Sequence, residues 1–355
     1  MHILYILPRP NRAVLVVAAL LRVPVAEIVS RFVSKRIAFC AKMDCVLYRN
    51  GMRFVSKRIL FCGKTLSRTL QKLDFFLLSF VVLPNIAYLC TQRVMMFEKE
   101  IAEYERVRAE YQQKVADRMG QRQWMEYNEI LFSAHSCAIE GNSFTVDDTR
   151  ILREQGMAMI PVGRSLLECT EMSDHFRAFD YMTGRLDAPF DEALLKEINR
   201  LVTEHTLSYR APGAVAGEYT TEDMAAGDTV FGDHETLIAR VPSLMASTQR
   251  AIDDGQMHPM VVAAKWHGYF EYLHPFRDGN GRTGRLLSNF ILLRAGHPLL
   301  IVCLEDRAEY INALKLIRTE ATDEFLTAFF FKVAIRRMKS ELAQKRKNSL
   351  PVVFF

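Results

Sequence analysis

From residue 96 onward the sequence predicts an all-α domain interrupted by one β-capable interval. Three observations predict it. Apolar residues recur at spacings of three and four through most of this region, Gly and Pro collect at segment ends, and only residues 208–234 combine turn chemistry with short extended pieces. With 355 residues, half of them hydrophobic, the chain is long enough to bury a substantial core.

The net charge of +5 conceals an asymmetry. Residues 1–95 carry 15 Lys/Arg against 3 Asp/Glu, whereas the remainder carries 31 against 38. The first part also holds a near-repeat, Arg31 to Lys42 recurring as Arg53 to Lys64, too few copies for a stacked solenoid. Cys40, Cys45, Cys62 and Cys90 lie here without the paired spacing of a zinc site. Leu73 to Cys90 is the most hydrophobic segment, at the lower edge of the ~17–25 residues needed to span a bilayer, and Asp74 and Pro84 interrupt it. No short apolar run near the start ends in a signal-peptide cleavage site. Residues 1–95 are therefore expected to stand outside the working fold, with Met95 or Met96 the true beginning. A basic membrane anchor through residues 73–90 is the alternative.

The expected organisation is thus an extension over 1–95, N-terminal helices over 96–145, a core over 146–345 and a tail over 346–355. Phe97 to Met119 is rich in Glu, Lys, Arg and Gln and lacks Pro and Gly, predicting a long exposed helix that Gly120 ends. A second helix runs from about Gln123 to Ile139 and stops at Gly141. On it Ser136 and Glu140, four apart, share a face. Thr145 is placed as an N-cap, with Asp147 and Asp148 favourable in the first turn of the next helix. Ser165–Arg185 and Asp191–Thr206 read as amphipathic scaffold helices in which no charge asks for a catalytic role. After the 208–234 hairpin comes a helix over His234–Asp254, with a break or kink expected at Pro242. Val261–Leu273 and the segment beginning near Arg282 are buried helices, Pro298–Val302 is a short extended piece, and helices follow from Arg307 and over Asp323–Lys345, with Phe325, Phe329, Phe330 and Phe331 inward. The basic residues near the C-terminus suit a helix dipole better than nucleic acid.

The chemistry concentrates in His274-Pro-Phe-Arg-Asp278-Gly-Asn-Gly-Arg282-Thr-Gly-Arg285. A glycine-containing loop opening onto a helix N-terminus offers backbone N–H groups to an anion. Arg282 and Arg285, three apart, can clamp phosphate oxygens. Asp278 is the hard carboxylate that Mg²⁺ takes beside phosphates, and His274 is the natural general base.

In order and spacing this stretch resembles the signature of the Fic family, His-x-Phe-x-(Asp/Glu)-Gly-Asn-Gly-Arg-x-x-Arg, with every specified position filled. The resemblance implies a Fic-type helical domain with a β-hairpin flap over the active-site loop. It implies transfer of AMP from ATP to a Ser, Thr or Tyr hydroxyl of a target protein, with Mg²⁺ as cofactor. By resemblance His274 deprotonates the hydroxyl, Asp278 holds Mg²⁺, and Phe276 anchors the loop. Gly279, Asn280, Gly281 and the following Thr283 and Gly284 join the nucleotide site, while Arg282 and Arg285 neutralise phosphates. A branch resembling the Doc toxins has Lys where Gly281 stands and transfers the γ-phosphate; Gly281 argues against that chemistry.

Ser136-x-x-x-Glu140-Gly141 resembles the family's inhibitory motif, which implies that Glu140 pairs with Arg285, with Ser136 in the same contact. The family's flap is matched to Met224–Val230, with Gly227, Asp228 and Thr229 at the nucleotide, and Tyr310 is placed near the adenine. Glu222 and Asp223 make the flap acidic, which favours a basic target. Two other functions share the site: removal of AMP from a modified target, with Glu140 positioning water, or a non-catalytic peptide-binding module that senses nucleotide. Apolar helix faces permit a homodimer. Seven cysteines without framework spacing and the dependence on ATP fit the cytoplasm.

Overall fold

The computed structural model describes residues 97–347 apart from 227, 228 and 232. The expectations for residues 1–95, and the flap positions Gly227 and Asp228, lie outside the described residues.

Helix α1 (Glu98–Tyr111) runs on through a π-helical turn, Gln112–Ala116, and a last helical turn to Met119. Gly120, at a φ of 82° that costs glycine little, ends it. This segment is not the exposed helix its composition predicts. Tyr104, Val107, Tyr111 and Val115 are buried and pack on the C-terminal helix, where the Tyr111 hydroxyl donates to Glu341 at 2.8 Å. Composition registers the charged face and misses the four-residue spacing of the apolar one.

Helix α2 (Gln121–Ile139) carries the Ser136/Glu140 face. Helices α3 (Val146–Gln155) and α4 (Leu166–Thr183) each begin with a capping box, Thr145 with Asp148 and Ser165 with Glu168. Helix α5 (Glu192–Thr203) is capped by Asp191 and buries Leu194, Leu195, Ile198 and Val202. The 208–234 interval contains a short antiparallel strand pair, β1 (Ala225–Ala226) against β2 (Thr229–Val230), with Ala225 opposite Val230. The Phe231 amide extends it by donating to the Met224 carbonyl at 2.8 Å.

Helix α6 (Leu237–Asp254) passes through Pro242 without breaking. Helix α7 (Pro259–Leu273) starts with Pro at N1 and a His258 cap, and α8 (Asn280–Arg294) is buried along nearly its whole length. These two form the centre: α7 packs on α6, α8, α9 (Arg307–Glu320) and α10 (Glu324–Lys347), and α8 on α2, α4, α5 and α7. Between α8 and α9 the extended segment Leu299–Val302 is buried, with the Asn289 carboxamide pairing to both the N–H and the C=O of Leu300. Phe329, Phe330 and Phe331 face inward, but Phe325 is about half exposed at 48%. Residues of α1 and α2 share one core cluster with those of α5 through α10. Among the described residues, no helix is long and apolar enough to cross a membrane.

Candidate active site

The loop between α7 and α8 is shaped by its two ends. His274 is the C-cap of α7, in the left-handed region at φ 48°, a conformation that costs a side-chain-bearing residue about 1–2 kcal/mol. Gly279, also left-handed at φ 77°, is the N-cap of α8. A side chain at Gly279 would meet Thr203 Cγ2 at 2.6 Å, so α5 passes directly beneath it. Phe276 is 1% exposed and packs on Phe270 and Tyr219, anchoring the loop in the core. Asn199 of α5 braces the far side, its Nδ2 donating to the Asp278 carbonyl at 3.0 Å and to Thr283 Oγ1 at 3.2 Å. The Thr220 amide donates to the Pro275 carbonyl at 2.8 Å.

His274, Asp278, Gly279, Asn280, Gly281 and Glu140 line one small cavity, with Arg277 and Arg282 at its edge. The His274 ring stacks on Phe231 of the hairpin, centroids 3.8 Å apart. Phe231 in turn lies under the Arg318 guanidinium, which donates to the last carbonyls of α7 at Glu271 and Tyr272. The strand pair therefore adjoins His274, with Thr229 on its second strand.

Several sequence-predicted residues take other positions. The Asn280 side chain is spent on the loop itself: Oδ1 accepts from the Phe276 amide at 3.0 Å and Nδ2 donates to the Phe276 carbonyl at 2.7 Å. The side chain braces the loop, while the residue also lines the cavity. Thr283 and Gly284 face the protein interior: Thr283 is fully buried against Asn199, and a Cβ at Gly284 would lie 2.6 Å from His267 Nδ1. Tyr310, expected beside the adenine, is 1% exposed. Its ring stacks on His267 and its hydroxyl bonds His267 Nε2 at 2.6 Å, leaving no open face for a base.

The two arginines are paired within the protein. Arg282, 1% exposed, lies 2.6 Å from Glu171 Oε1 and donates to Asp278 Oδ2 at 3.1 Å. Burial opposes its charge, yet the Glu171 and Asp278 carboxylates outweigh that and raise its pKa. Glu171 is fully buried and also receives Arg210 at 3.0 Å and Asn142 Nδ2 at 2.9 Å. Helix α4 is thus not mere scaffold. A glutamate on an amphipathic helix gave no sequence signal because its partners lie far along the chain.

Arg285, 4% exposed, donates through Nε to Ser136 Oγ at 3.0 Å and through Nη2 to the Ser136 carbonyl at 2.7 Å and Glu140 Oε1 at 2.8 Å. Burial opposes this charge too, and Glu140 and Tyr310 overcome it and raise the pKa. The pairing expected of Ser136, Glu140 and Arg285 is present.

A family model described as Fic/DOC family matches residues 189–292, which contain α5, the hairpin, α6, α7 and most of α8. Residues 189–292 are a Fic domain. The chain is 36% identical over 183 residues to a protein adenylyltransferase Fic of Nematostella vectensis, covering 51% of this chain and 41% of that one. It is 33% identical over 187 residues to the protein of the same name in Drosophila melanogaster, covering 51% and 36%. The chain therefore spans less than half the length of these relatives. Its fold is that of a Fic-domain-containing signaling protein from Bacteroides thetaiotaomicron, at TM-score 0.59 and 24% identity, covering 69% of this chain and 96% of that one. The fold also matches Fic-1 from C. elegans, at TM-score 0.60 and 24% identity, covering 75% and 77%. The Fic domain supplies His274, the loop and both arginines, whereas Ser136, Glu140 and Glu171 reach it from helices before its boundary.

Proposed function

We propose that the chain is a protein adenylyltransferase that moves AMP from ATP to a Ser, Thr or Tyr hydroxyl of a target protein, and that Glu140 holds it in check through Arg285. The observation that carries this reading is the convergence on one cavity of a histidine, a carboxylate, a glycine-bounded helix N-terminus and the glutamate that pairs with Arg285.

His274 lines the cavity and is the group that accepts the hydroxyl proton. The amides at the start of α8, with the helix dipole behind them, favour a bound phosphate. Asp278 is about one-fifth exposed in the same cavity and is the hard oxygen donor that would hold Mg²⁺, whose charge offsets that of the phosphates. Arg285 is the cation for the terminal phosphate and is occupied by Glu140 and Ser136 in this state. Removing one partner from a buried ion pair costs about 3–5 kcal/mol; Glu140, at 34% exposure, is the partner able to leave. The hairpin beside His274 would align the target's main chain by strand addition.

The test uses the full chain with ATP labelled at either the α- or the γ-phosphate, following label on protein. α-Label on a protein hydroxyl supports AMP transfer, and its loss in His274→Ala supports the base. γ-Label on protein would replace the proposal with kinase-like chemistry. Release of AMP from an already modified target, with no forward transfer, would replace it with the reverse reaction.

A further inference from the structure

One turn before His274, α7 presents a second acid that neither the loop motif nor the inhibitory contact uses. The Glu271 side chain is 12% exposed and places Oε2 at 3.6 Å from His274 Nδ1. His274 Nδ1 is itself buried and has no hydrogen-bond partner; Glu271 Oε1 is in the same condition. A buried polar atom without a partner is costly. His274 Nδ1, left without a partner 3.6 Å from the Glu271 carboxylate, describes a contact that tightens as the site closes on substrate.

The surroundings keep the carboxylate where it is. A Cβ on Gly284 of α8 would fall 3.0 Å from Glu271 Oε1 and 2.6 Å from His267 Nδ1, so the bare glycine backbone closes a narrow slot around both. His267 is fully buried and tied to the Tyr310 hydroxyl at 2.6 Å, and the Tyr310 ring lies beneath Arg285, 6.0 Å from its guanidinium carbon. Burial lowers the His267 pKa to about 4, so His267 is neutral and contributes no competing charge at neutral pH. Burial by itself would raise the Glu271 pKa, but the nearby His274 and Arg285 bring it below the ordinary carboxylate value. Glu271 is ionised beside His274.

We propose that Glu271 is the positioning residue of the base: it fixes the proton of neutral His274 on Nδ1 and leaves Nε2 to receive the proton of the target hydroxyl. The inference rests on the adenylyltransferase reading. In the transfer step the hydroxyl O–H bond breaks and its proton passes to Nε2. The hydroxyl oxygen bonds to the α-phosphorus, and the bond to pyrophosphate breaks with its electron pair leaving on pyrophosphate. The imidazolium so formed keeps its Nδ1–H toward the Glu271 carboxylate, whose charge stabilises it. Sequence spacing carried the signal without its meaning, because Glu271 and His274 are three apart at a helix end.

The test is run on the full chain in a Glu140→Gly background with Glu271→Gln, an isosteric change, and Glu271→Asp as a second variant that keeps the charge. Nitrogen-15 histidine spectra, assigned by difference from His274→Ala, report the tautomer without turnover. The expected result is Nδ1–H for His274 in the parent and in Glu271→Asp, and loss of that preference in Glu271→Gln. AMP transfer by Glu271→Gln is expected to fall about 100-fold in kcat, within the range for a misaligned general base, with KM for ATP within about twofold. Glu271→Asp is expected to lie between. An unchanged tautomer in Glu271→Gln, or a raised KM with unchanged kcat, overturns the proposal. If the parent transfers no AMP at all, the adenylyltransferase reading fails, and the tautomer measurement still decides the role of Glu271.

Discussion

The Glu140 carboxylate rests against the α-carbon of Gly281: a methyl group added there would lie 2.2 Å from Glu140 Oε1 and 2.9 Å from Arg285 Nη1. The absence of a side chain at 281 is therefore a condition for the Glu140–Arg285 contact. It is a second reason, besides phosphate access, for glycine at this place in the loop.

Gly281→Ala is expected to expel Glu140 and to lower stability by about 1–3 kcal/mol, the range for overpacking a tight site. In a Glu140→Gly background the same substitution is expected to be close to neutral, since alanine is the better helix residue and the remaining neighbour, Arg285 Nη1, is the end of a flexible side chain that Glu140 no longer holds. Urea denaturation of the four proteins of this cycle measures the coupling. Equal costs in both backgrounds would show that Glu140 does not depend on Gly281.

Glu171→Ala is expected to cost about 3–5 kcal/mol, because it strands Arg282, 1% exposed, with only the partly exposed Asp278 as counter-charge. Double replacement with Arg282→Met is expected to recover part of this loss, as apolar substitution of a buried pair commonly does. Chemical denaturation checks both. A loss below about 1 kcal/mol for Glu171→Ala would mean that the pair is wetter than its burial indicates.

Glu129 on α2 gives a pH-dependent prediction away from the cavity. Burial raises its pKa to about 7 despite Arg153 at 3.0 Å. Because the folded pKa lies above that of the unfolded chain, both states hold the proton at low pH and Glu129 then imposes no penalty. As pH rises from about 4.5 to about 7 the unfolded state ionises first, and stability falls by about 3 kcal/mol in all. Glu129→Gln is expected to remove this slope and to be more stable than the parent at pH 8, while matching it near pH 4. Melting of both proteins across that interval, taken as a difference so that other titrating groups cancel, tests the prediction.

What the sequence disclosed depended on how local the cause was. The capping residue Thr145, the glycine stops and the loop from His274 to Arg285 act over a few positions and were legible. Ser136 and Glu140 were legible because four-residue spacing puts them on one helix face. Glu171, Asn199 and Phe231 were not. Their partners lie between 43 and 111 residues away along the chain, at Arg282, at Asp278 and at His274. Such pairings exist only once α4, α5 and the hairpin have packed around α7 and α8. Tyr310 differs: the family resemblance places it near the adenine, and in the structure its helix turns it inward onto His267. The charge content of helix α1 predicts exposure, although Tyr104, Val107 and Tyr111 line its buried face.

The most direct test of the central claim is the rate of α-phosphate label transfer by the full-length protein as wild type, as Glu140→Gly, and as Glu140→Gly with His274→Ala. The account predicts that Glu140→Gly exceeds wild type by at least about tenfold, equivalent to about 1.4 kcal/mol, and that the second substitution abolishes transfer while ATP still binds. Equal rates for wild type and Glu140→Gly, or transfer that persists without His274, would contradict it.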